Sequence, residues 1–95
     1  MPEMHFSVRW PDNSVTDCYS PSLVVKEFLE VGQSYPLTDF VQRSATALNI
    51  GSERVRQKFG YACSSAMDQL QRIQETAKRF EEIADATVTV EQFRS

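Results

Sequence analysis

The sequence predicts an α+β fold: an N-terminal β-hairpin and a C-terminal strand in a small antiparallel sheet, with three helices packed on one face. Three observations carry this expectation. Met4, Phe6, Val8 and Trp10 alternate with His5, Ser7 and Arg9, the period-two pattern of a half-buried strand. Between Gly60 and Ala84, the residues Ala66, Leu70, Ile73, Ala77, Phe80 and Ala84 recur at spacings of four and three, the seam of a long amphipathic helix. Near the C-terminus, Thr87-Val88-Thr89-Val90 is strongly β-forming and supplies a strand to cover an edge of the hairpin.

Taken in order, Pro11-Asp12-Asn13-Ser14 turns the first strand into a second over Val15 to Tyr19, since Pro presets a turn φ and Asn tolerates the left-handed region. Ser20-Pro21 can open a short helix over Ser22 to Leu29, although the β-branched pair Val24-Val25 leaves an extended segment open. Tyr35 is extended because it precedes Pro36. A helix follows, with Leu37, Phe40, Val41, Ala45 and Leu48 on one face. Asn49-Ile50-Gly51-Ser52 reads as an interruption, and Ser52 as the N-cap of a second helix, Glu53 to Phe59, with Val55 and Phe59 pointing inward. Gly60 suits the left-handed residue that ends it. The long helix then starts at Ser65, with Asp68 in a capping-box-like place.

The 95 residues are 41% hydrophobic and 24% charged, the proportions of one folded domain spanning 1–95 with a single modest core. A net charge of −3 argues against a role in neutralising nucleic-acid phosphates. No run approaches the roughly 20 apolar residues that cross a bilayer, and MPEMHF lacks the segments of a signal peptide, so a cytoplasmic protein is expected. Cys18 and Cys63 form no CxxC pair and are expected as free thiols.

Few constellations suggest chemistry. Cys63 lies just before the long helix, where the dipole and unpaired N–H groups favour a thiolate, making it the one candidate nucleophile. His5, the sole histidine, is the only imidazole base, and nothing in the sequence places it near Cys63. A buried thiol is the plainer reading. His5, Cys18 and Cys63 are also the candidate metal ligands, without the spacing that marks such sites. No cofactor motif is visible. The stretch from Ser52 to Lys58 holds Arg54, Arg56 and Lys58 against Glu53, the most basic run in an acidic chain. It suits a phosphate or an acidic partner surface, against the plainer reading of a solvated helix face. The seam residues Met67, Leu70 and Ile73 are a candidate interaction face, either for a homodimer or for the preceding helix of the same chain.

VRWPDNS at Val8 to Ser14, CYSPSLVV at Cys18 to Val25, and the long stretch from Ser34 to Leu70 resemble the small nitrogen starvation response proteins of bacteria. The resemblance spans most of the chain but does not reach past Phe80, and it contains no catalytic motif. It implies a gene cluster holding a nitrilase-like hydrolase, a radical S-adenosylmethionine enzyme, an acetyltransferase and an aminoimidazole-ribotide-synthetase-like protein. It supplies no functional residues. The expected role is therefore a non-catalytic accessory protein whose partners are enzymes of that cluster. The alternatives are a substrate or carrier modified by one of them, and a small thiol- or metal-dependent enzyme using Cys63.

Overall fold

Alternation at the N-terminus builds a hairpin, as its pattern requires. In a computed structural model describing residues 3–61 and 63–94, strand β1 (Met4–Arg9) pairs antiparallel with β2 (Val15–Ser20), in register from Met4↔Ser20 to Arg9↔Val15. The turn between them uses Asn13 at φ 71°, and the Asp12 carboxylate accepts the Ser14 N–H at 3.0 Å. A 3₁₀ helix follows at Leu23–Glu27, capped by Ser22, whose Oγ accepts the Val24 N–H. Then come β3 (Ser34–Pro36), α1 (Leu37–Phe59), α2 (Ser64–Lys78) and β4 (Thr87–Arg94).

The fold is α+β, but the expected inventory needs correction: among the described residues there are two α-helices, not three, and four strands rather than three. The strands run β2-β1-β4-β3, all antiparallel, so β4 covers the free edge of β1 and the short β3 covers β4. The missing strand, Ser34–Pro36, is too short to show a period of its own.

The expected break at Asn49 to Ser52 does not occur; α1 runs unbroken through it. Gly51 is there because the helix crosses the Pro21-Ser22 segment closely: a Cβ on Gly51 would lie 3.1 Å from Pro21 Cγ. Ser52 caps no helix. It is buried inside α1, and its Oγ accepts the N–H of Cys63 at 3.2 Å. The left-handed end at Gly60, φ 85°, is where the sequence placed it.

The second helix starts at Ser64 with Cys63 as N-cap and no side-chain cap, so Ser65 and Asp68 do not form the expected box. It also stops at Lys78 rather than at Ala84. Tertiary packing takes over there. Phe80 turns back to stack on Trp10, ring centroids 5.9 Å apart, while Phe40 meets the same indole edge-on at 5.6 Å. The chain then turns through Asp85, φ 58°, into β4.

Even-numbered residues of β1 and β2 form the buried face: Met4, Phe6, Val8, Cys18 and Ser20 lie under Phe40, Ala47 and Leu48 of α1 and Ala66 and Ile73 of α2. Burial of these side chains, each worth about 1.5–3 kcal/mol for a large aliphatic or aromatic group, holds the two layers together. The opposite face of the sheet is polar. There Arg94 and His5 flank Asp17, and Arg9 pairs with Glu91.

Candidate functional site

A helix of 23 residues is about 34 Å long at 1.5 Å per residue, whereas the six-residue strands beneath it span about 20 Å. The end of α1 therefore overhangs the sheet. From Arg56 to Tyr61 every residue is exposed, and two of them are aromatic: Phe59 is 50% and Tyr61 66% exposed. Their rings lie 6.3 Å apart, and the Lys58 ammonium sits 5.6 Å from the Phe59 centroid. Phe59 was expected to point inward; continuity of the helix carries it past the sheet that would have covered it, while Val55, one turn earlier, is half-buried.

The cations of this tip are held in different ways. Arg54 donates to Ser22 Oγ at 3.0 Å, bracing the helix against the 3₁₀ segment. Arg56 grips Glu53 with two nitrogens and, through those hydrogen bonds first, holds its carboxyl below the usual glutamate range. Lys58 projects beside the aromatic pair. The arrangement is an exposed aromatic pair with the Lys58 ammonium beside it, a composition suited to an acidic protein surface with an apolar recess.

The seam residues sit differently. Ile73 is buried, and Met67 and Leu70 are half-buried against the core, so this stripe packs largely within the chain. A groove of about 780 Å³ does open where Leu37 and Val41 of α1 face Ala77 and Lys78 of α2 and Ile83 beyond it.

The candidate chemical residues are only partly brought together. Cys18 is fully buried on the inner face of β2, where burial pushes its thiol up to about 12. His5 lies on the outer face, its Nδ1 3.7 Å from Asp17 and its ring edge-on to Tyr19 at 5.7 Å. Cys63, half-buried at the start of α2, is a neighbour of Tyr19: burial first, then Cys63 and Glu3, raise the Tyr19 phenol. His5 and Cys18 thus stand on opposite faces of one sheet. Among the described residues no group of three or more His, Cys, Asp or Glu side chains is placed to hold a metal. No described helix is long and apolar enough to cross a membrane.

Sequence reasoning missed Phe59, Tyr61 and the edge-strand partner Gln69, whose side-chain oxygen accepts the Tyr19 N–H at 3.1 Å. The signal for the first two was available in the length of an unbroken helix against the length of the strands. For Gln69 there was none, because the bond spans 50 residues.

No curated protein and no solved structure matches the chain. A family model does, over residues 5–93, including the tail where the resemblance read from sequence stopped. It describes the nitrogen starvation-induced protein NitG, and the chain belongs to that family.

Proposed function

We propose that this member of the family is a non-catalytic accessory protein that acts by protein–protein contact, and that the tip of α1 is its contact surface. Its partners are enzymes encoded in the same nitrogen-starvation gene cluster, presenting an acidic patch around an apolar recess. The observation that carries this reading is the exposed pair Phe59 and Tyr61 beside Lys58. Tyrosine, with tryptophan and arginine, is among the side chains most enriched among residues that dominate binding energy. Phe59 stands at the end of a helix that the Arg54 bond to Ser22 braces, which lowers the ordering cost of binding there.

The test is affinity capture from nitrogen-starved cells with the native chain and with a Phe59→Ser/Tyr61→Ser variant, reading both the captured proteins and the intact mass of the bait. A cluster enzyme captured by the native chain and lost with the variant supports the reading. A mass increase on the bait, with capture unaffected by the variant, replaces it with a substrate or carrier role.

A further inference from the structure

A second surface, distinct from the α1 tip, lies along the open edge of the sheet. Among the described residues, strand β2 has a neighbouring strand only on the β1 side. The backbone groups of an antiparallel strand point alternately to either side, and the Tyr19 N–H, bonded to Gln69, shows which set points outward. Val15 and Asp17 share that parity. Among the described residues their outward amides have no partner, and Val15 is 52% exposed. Such an edge is a template for a further strand.

Three features show this edge to be bounded. Gln69, only 8% exposed, reaches from α2 and places a side-chain amide oxygen where a neighbouring strand would place a carbonyl. It closes the Tyr19 end and leaves the Val15 to Asp17 stretch open. Between that stretch and α2 is a hollow of about 250 Å³, reached by Arg72, Glu75 and Thr76. Beyond Gln69, a second hollow of about 420 Å³ is lined by Glu3, Ser65 and Asp68 and shares Gln69 and Arg72 with the first. A strand-and-helix groove of this kind receives an extended peptide, with backbone pairing for affinity and alternate side chains in the hollows.

Charge selects the occupant. The lining residues include the carboxylates of Glu3, Asp17, Asp68 and Glu75 against the single cation Arg72. Asp17 is engaged by Arg94 on the outer face, so Glu3, Asp68 and Glu75 set the sign inside. A second copy of the chain is disfavoured, because antiparallel pairing of two β2 edges would bring acidic lining against acidic lining. We infer that the groove between β2 and α2 binds an extended, lysine- or arginine-bearing segment of a partner protein by strand addition at Val15 and Asp17.

The experiment is amide hydrogen exchange of the full chain, followed by NMR, during titration with a peptide of alternating lysine and valine. The expected result is about tenfold slower exchange at Val15 and Asp17, the protection a new strand confers. A peptide N-methylated at alternate residues should give none, and an alternating glutamate–valine peptide should give none. Reversing charge on α2 with Asp68→Lys/Glu75→Lys, both exposed helical positions, should abolish the response to the lysine peptide. Three results overturn the inference: no protection at these amides, equal protection by the N-methylated or acidic peptide, or protection that grows with protein concentration alone, which would assign the edge to a second copy. None of these depends on the α1 tip, so either surface can fail without the other.

Discussion

Ser52 accepts the backbone N–H of Cys63 through its Oγ at 3.2 Å, and this bond closes the base of the projecting tip. The chain leaves the core at the end of α1, exposes Phe59 and Tyr61, and is tied back here before α2 begins. Replacing Ser52 with Ala leaves the Cys63 donor unpaired in a partly buried place. A loss of about 1–2 kcal/mol in urea unfolding is expected. An unchanged midpoint would mean that the bond does not tether the tip.

Gly51 should resist enlargement more than its helical position suggests. Alanine gains about 1 kcal/mol in an ordinary helix interior. Here its Cβ would press on Pro21 at 3.1 Å, so Gly51→Ala is expected to gain less than that, or nothing. Gly51→Leu forces the 3₁₀ segment away and should cost about 3 kcal/mol, the upper end of overpacking penalties. Thermal unfolding of the two variants separates close approach from propensity, since propensity alone would make both more stable than native.

Phe59→Ser/Tyr61→Ser should change stability little, within about 0.5 kcal/mol for each exposed position. Both rings lie outside the core. A large loss in the unfolding midpoint would show that they support the fold, and the binding role assigned to them would lose its basis.

The two thiols should behave differently. Cys63, half-buried, is expected to react with a disulfide reagent in the native state, and Cys18 only after unfolding. Burial first, and then Asp17, raise the Cys18 thiol in the fold from its ordinary 9.0 to about 12. Its contribution to stability is therefore complete below pH 9 and is lost as pH rises toward 12, because the unfolded thiol ionises first. The loss is on the order of a few kcal/mol at most. Urea midpoints across this range should fall more steeply for the native chain than for Cys18→Ala.

Much of the fold was legible in local pattern. Alternation from Met4 to Trp10, the Asn13 turn, the Gly60 stop and the TVTV strand each report a local backbone preference, and each appears where its signal lies. What failed depends on distant contacts. Gly51 looks like a breaker until Pro21 is seen beside it; Ser52 looks like a cap until Cys63 is found on it; and the helical period at Phe80 is overridden by stacking on Trp10. The candidate site divides the same way. Arg54, Arg56 and Lys58 stood out as a basic run, whereas exposure of Phe59 followed only from α1 being continuous.

The most direct measurement is photocrosslinking in nitrogen-starved cells, with a benzophenone side chain at Tyr61 and, as a control, at exposed Glu82 on the far side of α2 in sequence. The expected result is one discrete adduct from Tyr61 to a cluster enzyme, absent from the control and lost on Lys58→Glu. No adduct at Tyr61, or the same adducts from both positions, would contradict a partner-binding role for the tip of α1.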